Sequence, residues 1–254
     1  MVTEVDTGRL ELVDERLLTI QNRFRDAFGW DETDDRDSAV ALVEVVEEVR
    51  IDAWSRTMRE GALASLRGKI AGGHPTAVLG AAVEPVEVIN ALAAGCSLVA
   101  ADGSVGVLEE LPASVAEVAR QRLLLVVSDG DGGLERLLAA AGRGIPFAVH
   151  AHGDNELEWR TLLTAFADAA TPPPLIITHQ TSTTLLGAYN PGGFTDGDRA
   201  ACMLVALGCP PADIRLLGFQ SDVIGRWSGD TDGKIKLKKL KWMDDVLDIL
   251  FDGG

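Results

Sequence analysis

Two aspartates separated by one glycine end an apolar run near the middle of the chain. The run 123–127 reads LLLVV and is followed by Ser128, Asp129, Gly130 and Asp131. An apolar run without alternation predicts a buried strand of a parallel sheet. Ligands bind outside the carboxyl ends of such strands, so the two carboxylates are expected to face a crevice and could hold a hard cation. The alternative is an Asp/Gly turn that caps the next helix.

Polar side chains also follow the other candidate strands. The candidate strands are 77–82, 97–101, 123–128, 146–151, 175–178 and 214–218. The polar residues after them are Asp102, Asp129, Asp131, His152, Asp154, Asn155, His179, Gln180, Gln220, Ser221 and Asp222. Because parallel strands end at the same edge of a sheet, this repetition predicts a polar, acid-rich cleft. For His152 and His179, a structural, hydrogen-bonded histidine is the alternative to a catalytic one.

The short apolar runs alternate with amphipathic segments, which predicts an α/β fold with a doubly wound, mostly parallel Rossmann-like sheet and an N-terminal α-helical region. The helices between the strands are expected to begin near Pro85, Ser104, Gly133, Asn155 and Thr195. Residues 1–72 are interpreted as a helical cap region and residues 73–254 as the α/β nucleotide-binding catalytic domain. Two apolar stripes indicate the N-terminal helices: Leu10, Val13, Leu17, Ile20 and Phe24, then Val40, Val43, Val46, Val49 and Ile51.

A second dense motif, NPGGFTDGD, begins at Asn190 and opens another helical pattern. Thr195 and Asp198 have the spacing of a capping box, which explains these two residues structurally. The lead 190–193 is expected to expose backbone amides at the helix start, an arrangement suited to phosphate. Asp196 could serve a magnesium ion or a ribose hydroxyl, and Arg199 could reach a phosphate.

Five of the six lysines lie between Lys234 and Lys241, in the sequence KIKLKKLK. The apolar spacing that follows predicts a C-terminal helix with these cations at its start and aspartates toward its end. That polarity opposes the helix macrodipole, so it indicates an external partner, and a bound polyphosphate would supply one. We expect ATP phosphates to be bound by Lys234, Lys236, Lys238 and Lys239. A solvated basic face or a partner-docking tail is the alternative.

The composition limits the classes of partner. The 254 residues carry a net charge of −16, so the averaged field repels nucleic acid and anionic membranes, and neither is expected as a partner. No signal sequence or membrane span is recognisable, which predicts a cytoplasmic protein. The excess of acids over lysines resembles that of proteins adapted to a salt-rich cytoplasm. Three cysteines in apolar segments are expected to be reduced structural thiols, and a homo-oligomer remains open.

Several common catalytic motifs are absent from the sequence. HExxH, CxxC and GxSxG do not occur, which argues against zinc hydrolysis and a serine nucleophile. A GxxxxGK[ST] loop and a convincing GxGxxG are also missing, so a nucleotide would be bound by other means.

The order of the motifs resembles the nucleotide domain of thiamine pyrophosphokinases. The matching pieces are Ala101-Asp102-Gly103, Ser128 to Asp131, Thr195-Asp196 at a helix start, and the strand at 214–218. In that family they correspond to an ADG element, a GDxDS magnesium motif, a TD helix start and an ILG strand. Ser128 and Gly132 stand where the family has the flanking glycine and serine of GDxDS. The segment after Gly229 is also short for that family's β-sandwich domain, and a helical region precedes the sheet instead.

A closer resemblance is to archaeal 6-hydroxymethyl-7,8-dihydropterin pyrophosphokinases, which have a helical lead and no sandwich. It covers most of the chain, from Val78 to Trp242, through VLGAAVEP, ADGS, SDGDG, HAHGDN, NPGGFTDGDRA and GFQSD. The resemblance implies magnesium-dependent transfer of diphosphate from ATP to a reduced pterin alcohol, in folate or methanopterin biosynthesis. A thiamine-type pyrophosphokinase, or a non-catalytic nucleotide-binding or sugar-transfer module, is the alternative.

Diphosphoryl transfer requires cations and positioning more than covalent chemistry, which acidic side chains can provide by binding metal. Asp102, Asp129 and Asp131 are therefore predicted as catalytic and metal-binding, with Asp102 either a ligand or a base. Asp154 and Asn155 are expected near the pterin or a second metal ion. The full set of predicted substrate-binding residues is Asp154, Asn155, Asn190, Asp196 and Arg199.

Overall fold

The fold is built on one sheet of six parallel strands. The structure, a computed structural model, describes residues 10–229 and 232–251. The strands are β1 Thr76–Leu79, β2 Ser97–Ala101, β3 Leu123–Ser128, β4 Phe147–Ala151, β5 Leu175–His179 and β6 Ile214–Leu217. Their order in the sheet is β5-β4-β3-β2-β1-β6, and every pair is parallel. The predicted α/β class is confirmed, and the sheet is parallel throughout rather than mostly parallel.

Nine α-helices surround the sheet within the described ranges. They are α1 Arg16–Phe28, α2 Glu32–Glu48, α3 Arg56–Ile70, α4 Pro85–Ala93, α5 Ala113–Arg122, α6 Leu134–Ala141, α7 Glu156–Ala167, α8 Asp196–Ala206 and α9 Gly233–Phe251. The helix expected near Ser104 is wrong in type, because Asp102–Glu109 forms a 3-10 helix and α5 begins only at Ala113. Strand β1 is also shorter than predicted, since the chain turns at Gly80.

Apolar layers cover both faces of the sheet, which is why its strands are apolar on both sides. Helices α2 and α7 pack on one face, against β4 and β5. On the other face, α3 and α8 contact the sheet and share a second apolar cluster with it. All six residues of β3 are buried, as the unbroken apolar run predicted.

A third apolar cluster lies outside the sheet, where α1 packs on α9 and α8 packs on α9. Leu17, Ile20 and Phe24 of α1 enter this cluster, so the first predicted stripe is confirmed from Leu17 onward. The second stripe is only partly confirmed: Val46 is buried and Val43 and Ile51 pack on the core, but Val40 and Val49 are exposed and α2 also buries Ala39 and Leu42. A run of valines has no unique helical face, and the packing on the sheet selected another one.

The three cysteines are free and buried, in agreement with the prediction of structural thiols. Within the described residues, no helix is long and apolar enough to cross a membrane.

Candidate active site

Three aspartates meet at the carboxyl edge of the sheet and form what we call the carboxylate cluster. Asp102 follows β2, Asp129 follows β3, and Asp196 is the first residue of α8. One carboxylate oxygen from each lies within 4.8 Å of the others. The predicted triple was Asp102, Asp129 and Asp131. The structure brings Asp196 into the triple and leaves Asp131 beside it.

Local backbone geometry aims Asp102 at this cluster. Its φ is +49°, a left-handed conformation that a residue other than glycine rarely adopts. The Ser128 hydroxyl donates a hydrogen bond of 2.5 Å to Asp102 Oδ1 and accepts one from the Gly130 amide. A Cβ at Gly132 would lie 2.0 Å from Asp102 Oδ2, so only glycine fits there. The SDGDG loop therefore holds two members of the cluster together.

The cluster concentrates negative charge where water is largely excluded. Burial, reinforced by the charge of Asp129, raises the pKa of Asp102 well above its ordinary value. The same two causes raise the pKa of Asp196 well above its ordinary value and also raise the pKa of Asp131. Carboxylates placed this way either take up protons or are neutralised by a bound cation.

His152 provides a positive charge next to the cluster. Its ring nitrogens lie 3.5 Å from an Asp129 oxygen and 2.5 Å from an Asp154 oxygen. Burial opposes protonation, but the two carboxylates outweigh it and raise the His152 pKa to about 9. For Asp129, burial acts to raise the pKa, yet His152 outweighs it and the pKa falls well below its ordinary value. We therefore describe His152 as protonated and Asp129 as ionised at neutral pH.

The donor set of the cluster fits a hard divalent cation. Three carboxylates supply only oxygen ligands, which is what Mg²⁺ selects. Asp196 Oδ1 is buried and has no hydrogen-bond donor among the described residues, although Arg199 Nη1 lies 3.6 Å away. A buried carboxylate oxygen without a donor is costly unless a cation binds it.

Two recesses adjoin the cluster and share part of their border. The glycine-side recess is lined by the main chain around Gly80–Ala82 and Gly218 and by the rings of Phe219 and Trp227. The tryptophan-side recess is lined by Trp30, His152, Gln180, Phe194 and Lys239. Both recesses are bordered by Asp131, Thr195, Asp196 and Lys236. Two molecules bound in these recesses would therefore meet at the cluster.

The glycine-side recess lies at the topological switch point of the sheet. Strands β1 to β5 follow one another in one direction, and β6 then adds on the far side of β1. The turns after β1 and β6 open the crevice between them, where open α/β sheets bind their ligands. The Phe219 ring packs so closely on Gly80 that a Cβ there would lie 2.8 Å from it.

Buried polar contacts with the N-terminal helices fix the tryptophan-side recess. Gln180 Nε2 donates to Asp35 Oδ2 at 3.0 Å, and Arg25 Nη1 donates to the same carboxylate at 3.2 Å and to the Gln180 carbonyl at 2.9 Å. Asp35 Oδ1 also accepts from the Gly153 amide at 2.8 Å. These residues link α1 and α2 to the loops after β4 and β5, so the helical region holds that side of the site.

Three of the predicted substrate-binding residues make buried structural contacts, and of these only Arg199 lies next to a member of the cluster. The Asn155 amide donates to the carbonyls of Asp129 and His150. Asn190 exchanges hydrogen bonds with Gln21 of α1. Arg199 is 1% exposed and donates to the Phe194 carbonyl while lying beside Asp196.

Of the other two predicted substrate-binding residues, Asp196 is a member of the carboxylate cluster. Asp154 lies at the edge of the site as the partner of His152. The predicted capping box of Thr195 and Asp198 is present, with the Thr195 amide donating to Asp198 Oδ1 at 2.7 Å.

The lysine-rich start of α9 lies over the site, but only part of it faces the cluster. Lys236 borders both recesses, and Lys239 lines the tryptophan-side recess with its ammonium 5.1 Å from the Trp30 ring centroid. Lys238 lies over Phe28 instead, at 5.8 Å, and Lys234 lines neither recess. Of the four lysines expected to bind phosphate, Lys236 is the one that borders both recesses.

Sequence reasoning missed several residues that shape the site. Phe194 lies inside the NPGGFTDGD motif and could have been singled out there. Arg25 lies in α1, Asp35 in α2 and Trp30 in the turn between them, all without a local motif, and only the packing of α1 and α2 brings them to the sheet edge.

Comparison with known proteins finds similarity to three archaeal proteins, each named 6-hydroxymethyl-7,8-dihydropterin pyrophosphokinase. The protein of Methanothermobacter thermautotrophicus is 29% identical over 249 residues, 91% of this chain and 92% of its own. The protein of Pyrococcus furiosus is 36% identical over 137 residues, 51% of this chain and 54% of its own. The protein of Methanocaldococcus jannaschii is 30% identical over 139 residues, 50% and 55% of the two chains.

Two of the three alignments thus span only about half of the relatives' own length. No family model matches the chain. The resemblance indicated by the motifs is nevertheless confirmed at the level of sequence similarity, since all three similar proteins carry the name 6-hydroxymethyl-7,8-dihydropterin pyrophosphokinase.

Proposed function

We propose that this chain transfers diphosphate from ATP to the hydroxymethyl group of 6-hydroxymethyl-7,8-dihydropterin and releases AMP, with Mg²⁺ as the metal. The observation that carries the proposal is the carboxylate cluster between two recesses, because this reaction must bring a nucleotide and a flat alcohol to one metal-binding centre. The names of the relatives, one of them aligned over 92% of its length, support the pterin acceptor. The product would serve folate- or methanopterin-type biosynthesis.

The step is an in-line displacement at the β-phosphorus. The pterin hydroxyl oxygen forms a bond to that phosphorus, and the bond from it to the oxygen bridging the α- and β-phosphates breaks, so AMP leaves with that oxygen. The hydroxyl proton passes to a carboxylate. Asp131 is our candidate acceptor, because it borders both recesses, stands outside the triple and has a raised pKa.

Asp102, Asp129 and Asp196 would hold the magnesium ion, which neutralises the phosphates as charge shifts to the leaving group. Lys236 adds a cation that borders both recesses. Ser128 keeps Asp102 aimed at the cluster, and His152 keeps Asp129 ionised. Catalysis on this account is positioning plus electrostatic stabilisation.

The net charge of −16 supports a small-molecule enzyme without a nucleic-acid or membrane partner, and we propose that it works in the cytoplasm. The acid-rich, lysine-poor composition is compatible with a salt-rich cytoplasm. These proposals concern the setting of the enzyme and do not affect its chemistry.

The test is acceptor-dependent release of AMP. The protein is incubated with ATP and Mg²⁺, and with the reduced pterin alcohol, thiamine or no acceptor, and AMP is quantified by chromatography. We expect AMP only with the pterin and none after chelation of the metal. AMP release with thiamine alone would reassign the acceptor, and ATP binding without turnover for any acceptor would support a binding module instead.

A further inference from the structure

We infer that the tryptophan-side recess binds the pterin ring, that Trp30 forms its aromatic wall, and that the glycine-side recess binds the nucleotide. The inference rests on the proposed function, since it assigns the two substrates of that reaction to the two recesses. It names a specificity-determining residue, Trp30, that comes from the N-terminal helical region and not from the sheet.

Trp30 is held in place by other aromatic rings while part of it stays accessible. It follows Gly29, the left-handed C-cap of α1, and stacks on Phe28 with ring centroids 4.7 Å apart and an interplanar angle of 17°. The Phe194 ring lies 6.2 Å away, and the Lys239 ammonium lies 5.1 Å from the Trp30 ring centroid, where a stacked ligand ring would displace it. A fixed indole at the border of a recess is a suitable surface for a flat heteroaromatic ring, and such contacts contribute beyond simple burial.

The polar groups of this recess suit a ring whose edge carries hydrogen-bond donors and acceptors. Gln180 donates one N–H to Asp35, and its second N–H has no acceptor among the described residues. Its side-chain oxygen has only long contacts, 3.4 Å to His150 and 3.5 Å to Arg199. The buried Asp35 contact fixes the amide plane, so Gln180 presents an oriented group to a ligand.

The other recess suits the nucleotide better. It lies at the switch point of the sheet, its walls around Gly80 and Gly218 are main chain, and it is bordered by the first turn of α8. ATP placed there would extend its phosphates past the carboxylate cluster toward Lys236. The pterin hydroxymethyl group would then reach the phosphates from the tryptophan-side recess, across the border that the two recesses share at Asp131 and Asp196.

The experiment compares Trp30→Ala, Trp30→Phe and Trp242→Ala with the wild type. Trp242 is the matched control, since it is also partly buried and packs 6.5 Å from Phe24 in the same aromatic region but lines neither recess. Calorimetry measures the binding of 6-hydroxymethyl-7,8-dihydropterin without ATP, under anaerobic conditions. AMP release gives the KM of each substrate, and thermal melting checks folding.

We expect Trp30→Ala to weaken pterin binding at least about tenfold and to leave the KM of ATP within about twofold. Trp30→Phe should bind the pterin within about threefold of the wild type. Trp242→Ala should change neither the affinity for the pterin nor the KM of ATP. Unchanged pterin affinity in folded Trp30→Ala, or equal losses for pterin and ATP, would overturn the assignment. If the wild type binds the pterin through Trp30 but releases no AMP, the proposed function fails while the assignment stands. A wild type that binds no pterin overturns both.

Discussion

The two recesses beside the carboxylate cluster are built in different ways. The glycine-side recess is lined mainly by the turn after β1 and the segment after β6, and α8 and α9 also border it. The tryptophan-side recess is lined by the loops after β3, β4 and β5, by the start of α8, by α9 and by Trp30 in the turn between α1 and α2. The first therefore depends mainly on the sheet topology, and the second depends also on how the N-terminal helices pack on the sheet. We expect the glycine-side recess to bind the nucleotide, a substrate that many enzymes share, and the tryptophan-side recess to determine which acceptor is used.

The carboxylate cluster lies where the two recesses meet, with Asp102 lining one, Asp129 the other and Asp196 both, so changes to its acids should have the largest effect. Asp129→Asn is expected to lower kcat at least about 1000-fold, because it removes a ligand that stabilises developing charge. Asp131→Asn is expected to lower kcat about 100-fold, as loss of a proton acceptor would. The two differ in metal dependence: the magnesium concentration for half-maximal rate should rise only in Asp129→Asn. If the magnesium concentration for half-maximal rate rises equally in both variants, Asp131 is also a metal ligand. Normal turnover in Asp129→Asn would contradict the assignment of a metal ion to this cluster.

The end of β5, which leads to Gln180 of the tryptophan-side recess, is also expected to be sensitive to acid. Burial lowers the pKa of His179, at the end of β5, to about 4, against an ordinary value of 6.5. Between these pH values the unfolded chain binds the proton and the folded chain does not. The contribution of His179 therefore lowers the free energy of unfolding as pH falls from about 7 to 4, by at most about 3 kcal/mol, with no further loss below.

Denaturant unfolding of the wild type and His179→Gln at pH 7 and at pH 4.5 measures this contribution. The variant should lose less stability between the two pH values than the wild type does. Equal losses in both proteins would show that His179 titrates normally. Hydrogen exchange at pH 4.5 should also show earlier loss of protection in β5 than in β1.

Lys236 borders both recesses, and its removal should affect the phosphates that pass between them. Lys236→Gln is expected to raise the KM of ATP roughly 30-fold, because a charge-assisted contact of about 2 kcal/mol is lost. AMP lacks the β- and γ-phosphates, so its affinity should change little. Lys234→Gln is the matched control, since Lys234 lies on the same helix and lines neither recess. If both variants raise the KM of ATP equally at matched ionic strength, the lysines act through the averaged positive potential of α9 and not through a contact of Lys236 with the phosphates.

The smallest effect is expected from the glycine-side recess alone. Phe219 lines that recess and packs between Gly80 and Gly197. Phe219→Leu should raise the KM of ATP about tenfold and leave the KM of the pterin within about twofold, which is the reverse of Trp30→Ala. Steady-state kinetics with each substrate varied in turn measure both values. If Phe219→Leu raises the KM of the pterin more than the KM of ATP, the glycine-side recess binds the pterin and not the nucleotide.

Much of the sheet side of the site could be predicted because its signals are local. An unbroken apolar run that ends in Asp-Gly-Asp indicates both a buried strand and a polar strand end, and β3 with Asp129 confirms this. The capping box at Thr195 also uses residues three apart, and it is present. Asp131 was grouped with the ligands because it is close in sequence to Asp129. Asp196 replaces it in the triple because α8 begins beside the ends of β2 and β3.

The sequence by itself determined the parallel α/β sheet, the acidic strand ends and the cationic start of α9, because each depends on spacing within a few residues. Only the tertiary structure decided which acids form the cluster, which lysine borders it and which aromatic ring walls the second recess. Trp30, Asp35 and Gln180 are up to 150 positions apart, and no periodic pattern relates them. Their proximity follows from burying α1 and α2 against the sheet and α9, a global packing solution that apolar spacing permits but does not specify.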